Sequence, residues 1–192
     1  MNTLFDTRPP AISKSKTIRI LVYPNITYAK DLTKDSYVVY LTNAIRQLNR
    51  LRDDLFFYVL TPEHLSVLEF PNTQQLVVPL PTHAPVMRVH FNVTAIQKLL
   101  TKFVDIDLVW SHLPEQTHAL AATLANVTHH RPKFFGYAHW FDLTSVATWE
   151  AGSFRENVSG LLHMDRCYLN TEAQKALVLQ EAAQTFSPSV VQ

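Results

Sequence analysis

A histidine and an aspartate three residues apart, His139 and Asp142, are the pair in this sequence best suited to acid–base chemistry. Histidine exchanges a proton near neutral pH, so His139 is a candidate general base or a partner for a sugar hydroxyl. Asp142 is the second catalytic candidate. The alternative is that His139 packs against Trp140 and neighbouring loops for structural reasons alone. Trp140 is also a candidate to stack on the flat face of a sugar.

Other polar and aromatic residues follow segments that are predicted to be strands. In an open parallel sheet, ligands bind at the carboxyl ends of the strands. We therefore take the following as candidate substrate-binding residues, in chain order: Tyr23, Asn25, His112, Glu115, Trp140, Thr171 and Glu172. For Glu115 the alternative role is to stabilise the N-terminus of a helix by its negative charge.

Short apolar runs alternate with amphipathic segments, and this rhythm supplies the elements that would position these residues. Strands are predicted at residues 18–23, 55–60, 75–80, 106–110, 133–138 and 166–170. Helices are predicted at residues 36–48, 63–68, 88–103, 114–127, 153–163 and 171–183. We expect Asp35 or Ser36 to cap the first helix and Thr171 the last. The alternation predicts an α/β fold, a Rossmann-like three-layer α/β/α domain with a mostly parallel sheet of about six strands.

Several kinds of site have no counterpart in the sequence. The turn after the first strand, Pro24–Thr27, contains no glycine, so the dinucleotide-binding fingerprint is missing, and no Walker motif occurs. The His-Glu-x-x-His pattern is absent, and the single cysteine, Cys167, excludes a cysteine-based metal site. We therefore expect no cofactor and no metal. A net charge of +1 offers no basic excess for general nucleic-acid binding.

One domain accounts for most of the chain in this interpretation. Residues 1–16 are expected to be a flexible lead-in, residues 17–186 the domain, and residues 187–192 the start of an interdomain linker or a truncated tail. The sequence has one cysteine, no N-terminal signal pattern and no apolar run long enough to span a membrane. These features favour a cytoplasmic location, and peripheral association with a membrane is left open.

Three segments carry a resemblance to a known family. They are Asp107–His112 (DLVWSH), Phe135–Asp142 (FGYAHWFD) and Leu161–Glu172 (LLHMDRCYLNTE). In their order and character they resemble the N-terminal domain of GT-B fold glycosyltransferases, especially the retaining kind that includes bacterial mannosyl- and glucosyltransferases. The resemblance extends over roughly residues 18–183.

The resemblance implies that this domain binds the acceptor, while a C-terminal domain, absent from this sequence, binds the sugar nucleotide. It also implies that His139 lies in the catalytic cleft near the transferred sugar. The family's glycine-rich turn beside the donor phosphates is replaced here by Pro24–Thr27. On this interpretation the chain is an incomplete enzyme, inactive without the domain that would bind the donor; its acceptor is unknown.

Two other interpretations remain open. The chain is alternatively a stand-alone Rossmann-like binding or interaction module without catalysis. A small independent hydrolase ranks last, because the sequence has no Gly-x-Ser-x-Gly nucleophile elbow.

Overall fold

The computed structural model describes residues 16–26, 31–78, 91–101, 105–128, 130–138 and 157–185. These ranges contain a single six-stranded sheet. Its strands are β1 (Ile18–Tyr23), β2 (Leu55–Thr61), β3 (Thr73–Val77), β4 (Leu108–Ser111), β5 (Lys133–Ala138) and β6 (Arg166–Leu169).

The spatial order of the strands is β3-β2-β1-β4-β5-β6, and every neighbouring pair is parallel. The order reverses between β1 and β4, which is the arrangement of the doubly wound Rossmann fold. Together with its helices the sheet forms a three-layer α/β/α domain, so the predicted fold class is confirmed.

Burial along each strand follows its position in the sheet. The central strand β1 ends in four consecutive buried residues, and in β2 six of seven residues are buried, as a sheet covered on both faces requires. The outer strands β3 and β6 keep most of their residues partly or fully exposed. The continuous apolar runs in the sequence therefore mark the centre of the sheet.

The helices are α1 (Ser36–Leu51), α2 (Val93–Leu100), α3 (Pro114–Ala125), α4, which includes residues 157–161, and α5 (Glu172–Thr185). Asp35 caps α1, because its carboxylate accepts hydrogen bonds from the N–H groups of Tyr37 at 2.8 Å and Val38 at 3.2 Å. Ser36 is already the first residue of the helix, so the choice between the two predicted caps falls on Asp35.

Two predicted boundaries are wrong for identifiable reasons. The third strand begins at Thr73 and ends at Val77, because its register is set by pairing with residues 57–61 of β2. The helix predicted from residue 88 begins at Val93, because Asn92 caps it by accepting a hydrogen bond from the N–H of Ala95 at 3.1 Å. Phe91 therefore precedes the helix.

Other predicted helices also differ from the observed ones. The short helix predicted at residues 63–68 is a single 3₁₀ turn at Ser66–Leu68. Of the helix predicted at 153–163, the described part ends at residue 161, and residues 162–163 form a turn.

Two aspartates at the amino edge of the sheet fasten neighbouring strands to each other. The carboxylate of Asp107, just before β4, accepts a hydrogen bond from the N–H of Arg19 in β1 at 2.9 Å. Asp165, just before β6, accepts one from the N–H of Phe134 in β5 at 2.8 Å. Both aspartates lie in segments on which the predicted resemblance depends, and here they hold the sheet together at the edge opposite the predicted site.

The largest apolar cluster lies between the sheet and helices α1, α2 and α3. A second, smaller cluster joins Val158 of α4 to Val178 and Ala182 of α5. Helix α4 approaches α3 so closely that a side chain at Gly160 would collide with the backbone of Pro114. Close backbone contact at this point requires glycine.

Candidate functional site

The carboxyl ends of β1 and β4 form the point at which the strand order reverses. The chain leaves β1 toward β2 on one side and leaves β4 toward β5 on the other. In open sheets of this kind, ligands bind in the crevice expected between two such connections. The ends are joined by a hydrogen bond of 2.9 Å from the N–H of His112 to the carbonyl of Tyr23. Four of the predicted site residues lie at or just after the ends of these two strands: Tyr23, Asn25, His112 and Glu115.

Tyr23 is held firmly beneath this edge. Its hydroxyl oxygen accepts a hydrogen bond from the N–H of Phe91 at 2.9 Å, and the two rings pack edge to face with centroids 5.4 Å apart. Burial raises the pKa of Tyr23 strongly; the bond from Phe91 opposes the change, and the charge of Glu115 adds to it. The phenol therefore stays neutral at physiological pH, and Glu115 lies within electrostatic reach of it.

Asn25, just after β1, carries a buried polar atom that lacks a hydrogen bond. The residue is 3% exposed, and its amide oxygen Oδ1 has no hydrogen-bond partner. An amide oxygen removed from water without a partner costs about 1–3 kcal/mol, and such atoms are rare in folded proteins. A hydrogen-bond donor that reached this atom would remove that cost.

His112 is packed among aromatic rings. It is 3% exposed, and its ring centroid lies 4.7 Å from that of Trp110 and 5.9 Å from that of Tyr40. The imidazole is thus fixed in orientation between β4 and α1. Sequence reasoning placed His112 at the strand end but had no means to predict this enclosure.

Tyr40 is a residue of the site that sequence reasoning missed. It lies on α1 beside the crevice, about two-fifths exposed, and its ring stacks on Tyr137 of β5 with centroids 5.9 Å apart and planes 25° apart. The hydroxyl of Tyr137 donates a hydrogen bond of 2.6 Å to Oδ1 of Asn170 at the end of β6. The partners are far apart in the chain, so no local pattern around Tyr40 indicates the contact.

Thr171 and Glu172 lie at the end of β6, with β5 and β4 between them and β1. At about 4.8 Å per strand, that separation is about 14 Å. The hydroxyl of Thr171 accepts a hydrogen bond from the N–H of Gln174 at 3.1 Å, which confirms the predicted cap. Glu172 is exposed and lies 3.5 Å from the ammonium of Lys175. The structure thus gives both residues local roles in α5 and does not bring them to the β1–β4 crevice.

The candidates His139, Trp140 and Asp142 lie outside the described residues. The described chain of β5 ends at Ala138, in the strand next to β4.

Within the described ranges, no group of three or more His, Cys, Asp or Glu side chains is placed to hold a metal ion. Among the helices of those ranges, none combines the length and the apolar character that a membrane span needs. Comparison with known proteins finds no matching family model and no matching curated protein.

Proposed function

We propose that this domain is the acceptor-binding lobe of a glycosyltransferase that transfers a sugar from a nucleotide-sugar donor. In this proposal the acceptor lies in the crevice between the ends of β1 and β4, where Tyr23, Asn25, His112 and Glu115 shape its site. His139 and Asp142 act at the reaction centre. A separate lobe of the GT-B kind binds the donor and stabilises the leaving diphosphate.

The observation that supports this proposal most strongly is the buried, unpartnered Oδ1 of Asn25 at the strand reversal. This atom can only accept a hydrogen bond. A ligand that satisfies it presents a donor, and the hydroxyls of a sugar or another alcohol are such groups. The acceptor of a glycosyl transfer reacts through a hydroxyl of this type.

The same edge is poorly suited to a diphosphate. Residues 23–26 and 111–115, which follow β1 and β4, include no lysine, arginine or glycine. Phosphates are held in folds of this class by backbone N–H groups of a glycine-rich turn and by cationic side chains. Glu115 would repel an anion here. The composition of these two segments, which stop short of Lys30 and Lys34 in the connection from β1 to α1, therefore favours the acceptor over the sugar nucleotide.

An NMR titration of the ¹⁵N-labelled chain tests the proposal. Methyl glucoside and methyl mannoside serve as acceptor probes, and UDP-glucose and GDP-mannose serve as donor probes. We expect a glycoside to shift the amide signals of Asn25 and His112. In Asn25→Ala its affinity should fall about tenfold, the worth of one buried hydrogen bond.

Asn126→Ala is the matched control, because Asn126 is an exposed asparagine at the far end of α3. It should leave the affinity for the glycoside unchanged. Tight binding of UDP-glucose or GDP-mannose at Asn25, with the glycosides inert, would contradict the assignment of this edge to the acceptor.

A second candidate function is that of a stand-alone binding module. It is favoured by apolar side chains exposed in the carboxyl-terminal elements: Tyr168 is 55% exposed, Leu179 49% and Leu162 46%. On this alternative neither glycosides nor sugar nucleotides bind. A protein partner associates through β6 instead, and Tyr168→Ser weakens that association.

A further inference from the structure

Two histidines from distant parts of the chain meet at the surface between α3 and the turn after α4. Nδ1 of His118 lies 2.7 Å from Nε2 of His163, and the ring centroids are 4.6 Å apart. Forty-five residues separate the two, so no spacing motif in the sequence indicates the pair.

We propose that His118 and His163 chelate a divalent late transition metal ion, with water in the remaining coordination positions. The chemical class is that of ions preferring imidazole nitrogen, namely Zn²⁺, Ni²⁺ and Cu²⁺, with Cu²⁺ bound most tightly. The proposal does not rest on the function proposed above, although His118 lies on α3 three residues after Glu115.

The distance between the two nitrogens is close to what chelation requires. Two metal–nitrogen bonds of about 2.1 Å, at an angle between square and tetrahedral, place the nitrogens about 3.0–3.4 Å apart. The observed 2.7 Å is that of a hydrogen bond, so side-chain rotation has to open the pair by only about 0.3–0.7 Å.

The backbones that carry the two histidines are fixed against each other. His118 lies four residues after Pro114, and His163 lies three residues after Gly160. Gly160 packs against the carbonyl of Pro114, and the N–H of His163 donates to the carbonyl of Gly160 at 3.1 Å. The pair is therefore positioned before any metal binds, and this lowers the entropic cost of chelation.

Chelation of a metal ion by the neutral histidine pair leaves the number of protons on the two rings unchanged. In the neutral pair, one N–H lies between the facing nitrogens and forms their hydrogen bond. For chelation that proton moves, by exchange with water, to the far nitrogen of its own ring, so both facing lone pairs become available. Each ring stays neutral, and no net proton is released.

Neighbouring groups change the pKa of His163 and the energy of placing a cation beside it. Burial lowers the pKa of His163, and the charges of His118 and Arg131 lower it further. The guanidinium of Arg131 donates to the carbonyl of His163 at 3.3 Å and disfavours a cation. Its charge is partly offset by the carboxylate of Asp165 at 3.8 Å.

Calorimetric titration of the untagged chain with NiCl₂ tests the site. We expect one equivalent to bind, with the affinity falling about tenfold or more in His118→Asn and in His163→Asn. The control is His64→Asn, since His64 is an exposed histidine that faces Glu69 at 3.5 Å on another part of the surface. This variant should bind like the wild type.

A measurement on the wild type tests the site without depending on whether the variants fold. Long-range ¹H–¹⁵N spectra during ZnCl₂ titration should show Nδ1 of His118 and Nε2 of His163 shifting together as metal ligands. Equal Ni²⁺ affinity in all three variants, or Zn²⁺ shifts confined to other histidines, overturns the proposal.

Discussion

Replacing Gly160 by alanine tests the close contact between α3 and α4. A Cβ at this position would lie 2.5 Å from the carbonyl carbon of Pro114 and inside van der Waals contact with its oxygen. The obstacle is backbone at the start of a helix, so no side chain can rotate away. The helices must separate, and the small cluster of Val158, Val178 and Ala182 must loosen with them.

The magnitude follows from two opposing effects. Alanine is a better helix former than glycine by about 1 kcal/mol, which favours the variant. Overpacking typically costs about 1–3 kcal/mol and more where the backbone has to move. Because the obstacle is rigid backbone, we take a cost of about 4 kcal/mol, so Gly160→Ala should lower the free energy of unfolding by about 3 kcal/mol net, which a domain of typical stability survives.

Gly136 provides the matched control. A Cβ there would meet the sulfur of Met164 at 2.5 Å and its terminal carbon at 2.7 Å, and these atoms end a flexible side chain. The carbonyl oxygen of Ser111 at 3.0 Å needs only a small shift. Gly136→Ala should therefore cost about 1 kcal/mol, less than half the cost at Gly160, and trimming Met164 to alanine should relieve its steric part.

Urea unfolding followed by circular dichroism measures both variants, with the midpoint reporting stability at constant slope. Gly160→Ala should shift the midpoint far more than Gly136→Ala. If Gly160→Ala were as stable as the wild type, or more stable as helix propensity alone predicts, the close approach of α4 to Pro114 would be refuted.

Two further predictions concern polar contacts. The hydrogen bond from Phe134 and the charge of Lys133 hold the pKa of Asp165 below its usual value, so its stabilisation is present above about pH 4 and is lost as the pH falls through the lowered pKa. Asp165→Asn should therefore lower the free energy of unfolding by about 1 kcal/mol at pH 7 and by almost nothing near pH 2. Urea unfolding at the two pH values measures this difference. An equal loss at both pH values would contradict a charge-dependent contact. Tyr137→Phe removes the 2.6 Å hydrogen bond to Asn170 and leaves the stacking on Tyr40 intact. We expect it to lower the free energy of unfolding by about 1 kcal/mol, measured by thermal unfolding. An unchanged melting temperature would count against that hydrogen bond.

The architecture of the domain was largely predictable because its signals are local. The run Ile18–Tyr23 is predicted and observed as the same strand, since an unbroken apolar segment can be buried on both faces only at the centre of a sheet. Thr171 is a cap in sequence and structure alike, because its hydrogen bond reaches only three residues. The boundaries of β3 were wrong because a distant partner, β2, fixes its register. The start of α2 was wrong for a different reason, since its cap Asn92 is local and was overlooked.

The candidate site was likewise predictable from the sequence only in part. Local chemistry identified Tyr23, Asn25, His112 and Glu115 as residues at or just after strand ends, and right-handed crossovers place all such ends at one edge of the sheet. That β1 and β4 are neighbours was visible only in the structure. The aromatic enclosure of His112 by Tyr40 and the meeting of His118 with His163 depend on which helix packs over which strand.

Residue order along the chain thus specified the strands, most of the caps and the edge of the sheet at which a ligand would lie, because hydrogen bonds and side-chain periodicity act over a few residues. The folded packing alone settled which side chains are enclosed, which amide oxygen is left without a partner, and where two helices touch through glycine. Those properties arise from contacts between segments tens of residues apart, and no short window of sequence contains both partners.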